Sequence, residues 1–232
     1  MPEQMQSRPI ISVEQKQSVL EQLREAKQIF AAKGWFPATS GNLSIRVYPA
    51  LDAPADVVAS IPCEDWVFAI TASGKDKTVD SPSDYLFING RGEKHEETSL
   101  KPSAETSIHQ VLYASQACGA VYHVHTVWNN LASDYYWPEG AVPVKAVELI
   151  KAFNIWSQDA EIQVPIVENW TNVPKISETL TESIVPHVPG ILLRNHGIYA
   201  WGATPFEAKR HLEAFEFLFE YAMRKLMLPE RK

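Results

Sequence analysis

Residues 120–127 read AVYHVHTV, a short apolar run that contains two histidines one residue apart. A run of this length and character predicts a strand. Alternate residues of a strand point to the same face of a sheet, so His123 and His125 should lie side by side. Their imidazoles either converge on one metal ion or are two hydrogen-bonded core side chains, and the pair alone fits both interpretations.

A third candidate ligand, His196, follows the apolar run ILLRN and precedes Gly197. That position places an imidazole at the end of a strand, where the backbone turns sharply. Three neutral imidazoles would leave a fourth position open on an ion, as catalytic zinc sites do. The other histidines lie in helical segments or polar loops, and we expect them to be structural or exposed: His95, His109, His187 and His211.

Segments with helical and strand patterns alternate along the rest of the chain. Ser12 and Gln15 form a capping-box pattern that predicts the first helix, and Thr204-Pro205-Phe206-Glu207 predicts the start of the last helix. The chain has no internal repeat and no low-complexity linker. We therefore expect one α/β domain over residues 12–232, preceded by a flexible tail over residues 1–11.

Four further patterns between these helices bear on the fold. Asn89-Gly90 predicts a type I′ hairpin turn, and Ser103 predicts the N-cap of a helix. The segment AVELIKAF, residues 146–153, indicates another possible helix. Residues 50–65 are rich in small residues and proline, which indicates an irregular surface connector between two strands.

Composition excludes several classes of partner. The chain has 232 residues, of which 45% are hydrophobic, which is enough for a sizeable core. Its net charge of −7, without a Lys/Arg cluster, argues against nucleic-acid binding. No stretch approaches the roughly 20 apolar residues of a membrane span, and neither a secretory leader nor a paired-cysteine pattern is evident. We therefore expect a cytoplasmic protein with a small-molecule partner.

Three turns made of small residues are candidate anion sites. They contain Gly41 and Asn42, Ser73 and Gly74, and Ser103, and each offers backbone N–H groups without bulky side chains. The third also precedes a predicted helix, whose N-terminus favours a phosphate. Such turns usually serve only as connectors, so each is weak evidence by itself.

Two glutamates are candidate acid/base groups. Glu105 lies in the first turn of a predicted helix, where a carboxylate is also favoured by the helix dipole alone. Glu148 lies between Val147 and Leu149, and a partly apolar environment would raise its pKa towards that of a general acid or base. The alternative for Glu148 is a solvated helix face, paired with Lys145 or Lys151.

Taken in order, six segments resemble the class II aldolase/adducin superfamily over about residues 15–226. They are TSGNLS, ITASGKDK, KPSAETSIHQVLY, AVYHVHT, ILLRNHGIYAWG and EAKRHLEAFEFLFEYA. ASGKDK and HGIYAWG are more similar to the dehydratase branch of that superfamily than to its sugar-phosphate aldolases. The resemblance implies an α/β fold of one domain, a three-layer α/β/α sandwich around a central, mostly antiparallel sheet.

The resemblance also implies a function and a set of site residues. The expected enzyme is a zinc-dependent lyase of methionine salvage, which removes water from a methylthio-substituted sugar phosphate through a zinc-stabilised enediolate. One Zn²⁺ per subunit would be held by His123, His125 and His196. The phosphate would lie on the three small-residue turns, and the subunits would form a homo-oligomer, expected to be a tetramer.

The two glutamates receive separate roles from the resemblance. Glu105 matches a position that serves acid/base work or metal binding in the related aldolases, and Glu148 matches the proposed acid/base group of the dehydratases. Two other functions stay open at this point. One is a zinc-dependent sugar-phosphate aldolase of the fuculose- or ribulose-phosphate type, and the other is an adducin-like interaction module without catalysis.

Overall fold

The structure is a computed structural model that describes residues 9–229, and its strands and helices alternate along most of that range. The strands are β1 (Asn42–Tyr48), β2 (Val67–Thr71), β3 (Tyr85–Asn89), β4 (Ala120–Val124), β5 (Ala141–Lys145), β6 (Glu161–Val167), β7 (Gly190–Leu193) and β8 (Gly197–Gly202). The helices are α1 (Val13–Ala32), α2 (Ala55–Ser60), α3 (Thr106–Gln116), α4 (Val127–Tyr135), α5 (Val173–Ser183) and α6 (Pro205–Leu226).

The strands of this range form one sheet in the order β3-β2-β1-β4-β8-β7-β6-β5. Every neighbouring pair is antiparallel except β6 and β7, which run parallel. The strand β4, which was quoted first above, lies inside the sheet between β1 and β8. The mostly antiparallel central sheet expected from the sequence is therefore confirmed.

Helices cover both faces of the sheet, which gives three layers. On one face, α1 packs on β1, α6 packs on β4 and β8, and α4 packs on α6; the side chains buried there include Leu43 and Tyr122. On the other face, α3 and α5 pack on side chains that include Val121 and Ile191. Because His123 alternates with Tyr122 along β4, its imidazole lies on the same face as α3.

The helix starts predicted at the two ends of the domain are confirmed. The Ser12 hydroxyl accepts a hydrogen bond from the backbone N–H of Gln15 (3.1 Å), and the Gln15 side chain accepts one from the Ser12 N–H (2.9 Å). At the start of α6, the Thr204 hydroxyl accepts from the N–H of Glu207 (3.2 Å). Both caps satisfy amide groups that the first helical turn leaves without partners.

The N-cap prediction for Ser103 is wrong. The helix α3 begins at Thr106, with Glu105 as its N-cap residue. Ser103 instead stabilises the preceding turn, since its hydroxyl accepts a hydrogen bond from the Glu105 N–H (3.3 Å) and its carbonyl accepts one from the Thr106 hydroxyl (2.7 Å). This turn places the Glu105 side chain at the end of the helix.

The type I′ turn predicted at Asn89-Gly90 is also wrong. The chain does reverse after β3, but the left-handed residue is Gly92 (φ 84°), and only a single bridge, Ile88 to Lys94, follows within the described chain. Gly90 serves another purpose, because a Cβ atom there would lie 1.9 Å from the carbonyl oxygen of Cys63. Because glycine has no side chain, the backbone at Gly90 can lie close to the backbone at Cys63.

Three other segments differ from the sequence expectations. Residues 146–153 contain a 3₁₀ helix, Glu148–Phe153, rather than an α-helix. The connector over residues 50–65 contains α2. The edge strand β5 was not predicted from the sequence, because it contains Pro143, which is unusual in a strand. A strand at the edge of the sheet tolerates proline, since the missing N–H donor would face away from the neighbouring strand.

Of the predicted N-terminal tail, residues 1–8 lie outside the described residues. Ile11, at its end, is buried against the core below α1. The domain boundary at residue 12 therefore stays a prediction. Among residues 9–229, no helix combines the length and the apolar character that crossing a membrane requires.

Lys27 fastens α1 to the loop that precedes β3. The side chain is 1% exposed, and its Nζ atom lies 2.5 Å from Asp84 Oδ2 and 2.8 Å from the Val79 carbonyl oxygen, to which it donates. Removal of one partner from a buried ion pair costs much more stability than removal of one partner from a surface pair, because the charge that remains is buried without a counter-charge.

We expect Lys27→Ala to lower the free energy of unfolding by about 3 kcal/mol, because Asp84 would be left as an unpaired buried carboxylate. The measurement is urea denaturation followed by circular dichroism. Lys16→Ala is the matched control, because Lys16 and Glu96 form a surface pair whose side chains are 29% and 42% exposed. This substitution should change stability by less than about 1 kcal/mol. Equal effects of the two substitutions would contradict this account of Lys27.

Glu216 is a buried carboxyl group between α6 and α4. It accepts hydrogen bonds from the Thr126 hydroxyl (2.6 Å) and the Asn129 side-chain amide (2.8 Å). Burial raises the pKa of Glu216 to about 7, and these hydrogen bonds oppose the rise only in part. The folded protein therefore binds this proton more tightly than the unfolded chain does.

A carboxyl group with a raised pKa stabilises the fold below its unfolded pKa, and this contribution is lost as pH rises through its folded pKa. The free energy of unfolding of the wild type should therefore fall by an amount on the order of 3 kcal/mol between pH 5 and pH 8 because of Glu216. Glu216→Gln should lack this fall. Thermal unfolding at both pH values checks this, with the partly exposed Glu213→Gln as control. Parallel pH profiles for wild type and Glu216→Gln would contradict it.

Candidate metal centre

The three predicted ligands converge at one end of the sheet. His123 is in β4, His125 follows the end of the same strand, and His196 is in the turn between β7 and β8. One ligand nitrogen from each lies within 4.8 Å of the others, and the Nε2 atoms of His123 and His125 are 2.9 Å apart. The shared strand face predicted for the first two histidines, and the third position predicted at a strand end, are confirmed.

The turn that carries His196 is held by α4, the helix that begins two residues after His125. The Ser133 hydroxyl accepts from the Asn195 N–H (3.0 Å), and Asp134 accepts from the Asn195 side chain (2.8 Å). Asn130 donates to the His196 carbonyl oxygen (3.1 Å). One helix therefore fixes the position of the third ligand relative to the other two.

Gly197 permits the strand β8 to reach the ligand-bearing strand β4. A Cβ atom on Gly197 would lie 2.5 Å from the Val124 carbonyl oxygen and 2.9 Å from Cε1 of His123. Any other residue would push the β7–β8 turn away from the imidazoles. The sequence analysis assigned Gly197 to a sharp turn, whereas the structure shows that the glycine is required for close approach.

Hydrogen bonds fix which imidazole nitrogen is available for a metal. The Nδ1–H of His123 donates to the carbonyl oxygen of Ile198 (2.9 Å), and the Nδ1–H of His196 donates to the Asn169 side-chain oxygen (3.1 Å). The His123 ring therefore presents Nε2 as a lone-pair donor, which is the usual arrangement around a bound metal, and the Nε2 atom of His196 faces Glu105.

The electrostatics favour neutral ligands. Burial lowers the pKa of His123 to about 3 and the pKa of His125 to about 2, so both rings are uncharged near pH 7. A metal can then bind these rings without displacing a proton. A set of three imidazoles matches the donor set of catalytic zinc, although imidazole also suits other divalent ions.

Glu105 lies against the same imidazoles. Its Oε1 atom is 3.0 Å from His196 Nε2, and its Oε2 atom is 3.5 Å from His123 Nε2. Burial opposes ionisation of this carboxyl group, but the imidazoles of His123 and His196 and the amide of Asn42 outweigh burial and hold its pKa well below the usual range. The structure thus places a carboxylate beside the open side of the three-histidine cluster.

A buried hydrogen-bond chain supports Glu105 from behind. The Asn42 amide donates to Glu105 (2.5 Å), and His109 Nε2 donates to the Asn42 side-chain oxygen. His109 Nδ1 then accepts from the Ser44 hydroxyl (2.7 Å), which accepts from Tyr113 (2.8 Å). His109, expected to be structural or exposed, is fully buried and orients Asn42.

All five residues predicted to hold phosphate line one cavity of about 290 Å³: Gly41, Asn42, Ser73, Gly74 and Ser103. We call it the anion cavity. Glu105 and His125 also line it, so it opens onto the histidine cluster. The structure therefore brings the three small-residue turns together, as the sequence analysis expected. The Asn42 side chain is, however, already engaged with Glu105 and His109.

Lys77 is a residue of this cavity that the sequence analysis missed. It is almost completely buried, and its Nζ atom donates to the Thr39 carbonyl oxygen (2.8 Å). Burial lowers its pKa, while the nearby Glu105 raises it. A cation at this position could pair with an anionic ligand. The signal was present in the segment ASGKDK, where Lys77 follows the Ser73-Gly74 turn by three residues.

The structure does not bring Glu148 to this centre. Its side chain is 82% exposed and forms an ion pair with Lys151 (2.8 Å). Glu148 is also not among the residues that line the anion cavity. Within one chain its surroundings are those of the alternative considered above, a solvated carboxylate paired with a neighbouring lysine.

Comparison with known proteins identifies the family of this chain. A profile of the family described as Class II Aldolase and Adducin N-terminal domain matches residues 21–223. The chain belongs to the class II aldolase and adducin family. The chain is also similar in sequence to three proteins named methylthioribulose-1-phosphate dehydratase. They come from Persephonella marina (47% identity, 93% of each chain), Bacillus subtilis (44%, 90% of this chain and 94% of the relative) and Geobacillus kaustophilus (43%, 90% and 92%).

Solved structures of class II aldolases share the fold at lower identity. A sugar-phosphate aldolase from Thermotoga maritima superimposes with a TM-score of 0.68 at 20% identity, covering 93% of this chain and 99% of the other. An L-fuculose-1-phosphate aldolase from Thermus thermophilus gives a TM-score of 0.66 at 20% identity, covering 91% and 97%. This likeness confirms the class II aldolase architecture.

We expect His123→Ala to reduce bound zinc from about one ion per subunit to less than about a tenth, since two imidazoles rarely retain the ion. Mass spectrometry of metals on the purified protein measures the content, with circular dichroism as a check of folding. His187→Ala is the control, because that histidine is exposed and outside the cluster. Full zinc content in a folded His123→Ala protein would contradict the assignment.

Proposed function

We propose that this chain dehydrates 5-methylthioribulose 1-phosphate to 2,3-diketo-5-methylthiopentyl 1-phosphate, a step of methionine salvage in the cytoplasm. One observation carries the proposal: three convergent imidazoles and the Glu105 carboxyl group adjoin a cavity lined by the small-residue turns. The names of the relatives at 41–47% identity support the choice of substrate.

The proposed cofactor is one zinc ion per subunit, held by His123, His125 and His196. When bound there, zinc supplies a Lewis acid that polarises a carbonyl oxygen and stabilises negative charge, an effect worth several kcal/mol. The residues around it have separate tasks. The hydrogen bonds that His123 donates to the Ile198 carbonyl oxygen and His196 donates to the Asn169 side-chain oxygen keep these two rings oriented, and Gly197 keeps space for the cluster.

The anion cavity is the proposed seat of the substrate phosphate. Its turns offer small residues and backbone groups at Gly41, Ser73, Gly74 and Ser103, and Lys77 contributes a positive charge. Asn42 belongs to the same wall but has a second task, since its amide holds Glu105. Phosphate contacts supply binding that the ground state and the transition state share, so their loss should mainly raise KM.

The reaction needs one proton removed and one delivered. A base takes the proton from C3, a double bond forms between C3 and C4, and the C4 hydroxyl leaves as water after it receives a proton. The resulting enol becomes the second ketone on tautomerisation. We assign these transfers to Glu148, while Glu105 shares one of them or joins the metal ligands through its oxygen near His196.

For Glu148 to act, its carboxylate has to meet a metal centre that its own chain does not bring near it. We therefore propose a homotetramer in which Glu148 of one subunit completes the site of a neighbour. The exposure of this side chain supports the idea, because an exposed carboxylate is free to face a second copy of the chain.

Product analysis tests the proposed reaction. The zinc-loaded protein is given 5-methylthioribulose 1-phosphate, and fuculose 1-phosphate and ribulose 1-phosphate in parallel, and the products are weighed by mass spectrometry. Loss of one water from the methylthio substrate alone is the expected result. Cleavage of a sugar phosphate into two fragments would identify an aldolase instead, and no turnover by a zinc-loaded protein would revive the adducin-like module.

Mixed oligomers test whether Glu148 acts across a subunit boundary. Glu148→Gln and His123→Ala should each lower kcat at least about a hundredfold when present in every subunit. Coexpressed in equal amounts, they should regain roughly a quarter of the wild-type activity, because about one site in four would combine an intact cluster with an intact neighbouring glutamate. Failure of the mixture to regain activity would contradict the arrangement, and normal turnover by Glu148→Gln would contradict the assignment itself.

A further inference from the structure

A second cavity, about 560 Å³ in volume, borders the metal centre on the side of α4. Its apolar lining comes from Pro37, Val127 and Leu131, and we call this cavity the apolar groove. His125 and His196 line it as well. The polar residues around it are Thr126, Asn130, Asn169 and Asn195. The groove is therefore a mainly apolar surface that ends at two of the three metal ligands.

The apolar groove and the anion cavity meet at His125, which lines both of them. A ligand that spans the two cavities would have its phosphate among the small-residue turns and its other end beside Leu131. The atoms between the two ends would then lie next to the histidine cluster. This is the order of groups along 5-methylthioribulose 1-phosphate, in which the phosphate and the methylthio group stand at opposite ends of the carbon chain.

One face of α4 is largely exposed in the part of the chain that the structure describes. Val127 is 69% exposed and Leu131 is 46% exposed, whereas the opposite face of the helix buries Asn129, Ala132 and Ser133. Burying an exposed aliphatic side chain against an apolar ligand removes both surfaces from water. An apolar pair placed one helical turn apart, beside a metal centre, is thus suited to hold a small apolar group.

We infer that the apolar groove binds the methylthio group of the substrate, with Leu131 as the residue that determines specificity. This inference rests on the proposed function, because it identifies the part of that substrate which the groove receives. The methylthio group is small, apolar and polarisable, and contact with an aliphatic side chain favours it over a hydrogen atom or a hydroxyl group at the same carbon.

The test compares two substrates that differ only at this group, 5-methylthioribulose 1-phosphate and 5-deoxyribulose 1-phosphate. The ratio of their kcat/KM values measures the preference for the methylthio group. In Leu131→Ala this ratio should fall roughly tenfold, mainly through a higher KM for the methylthio substrate. Tyr135→Ala is the matched control, because Tyr135 continues the exposed face of α4 but does not line the groove. It should keep the wild-type ratio.

The outcomes separate this inference from the proposed function. If wild type dehydrates the methylthio substrate but Leu131→Ala keeps the wild-type ratio, only the inference is wrong. A loss of the same size on both substrates, together with a smaller oligomer by light scattering, would assign the groove to a subunit contact and also overturn the inference. If wild type dehydrates neither substrate, the proposed function fails and the inference fails with it.

Discussion

The site depends on the pairing of β4 with β8. In this pairing His123 stands opposite Tyr199, the two rings stack with centroids 4.0 Å apart, and the turn before β8 brings His196 against the imidazoles of β4. Ordinary side chains would hold these strands too far apart at this end, and Gly197 removes that obstacle. The backbone hydrogen bonds between β4 and β8 form with almost any side chains. Here they fix the distances between the candidate metal ligands.

The charge distribution follows from burial of this cluster. Burial keeps His123 and His125 neutral, whereas Glu105 remains ionised because imidazoles and an amide surround its oxygens. The amide is oriented in turn by the chain through His109. The centre therefore combines neutral nitrogen donors with one oriented carboxylate, and it does so beside a cavity that carries a buried lysine. A divalent ion and a phosphate complement this set of charges.

Periodicity and capping patterns predicted the local part of the site. The alternation of AVYHVHTV placed two imidazoles on one face, and the strand-end position of His196 was also evident. Long-range contacts were beyond such reasoning. Nothing in TSGN indicates that Asn42 is held by His109, and nothing in AVELIKAF distinguishes a carboxylate that faces its own site from one that faces solvent. Those features depend on which segments come into contact after folding. The surroundings of Glu148 depend further on whether a neighbouring subunit packs against this part of the surface.

The central claim is that this fold builds a zinc centre beside a phosphate site. The most direct measurement is anomalous scattering at the zinc edge from crystals of the zinc-loaded protein grown with inorganic phosphate. The account predicts one strong zinc peak bonded to Nε2 of His123, His125 and His196, with phosphate density in the anion cavity. A zinc peak on other residues, or an empty histidine cluster in zinc-saturated crystals, would contradict it.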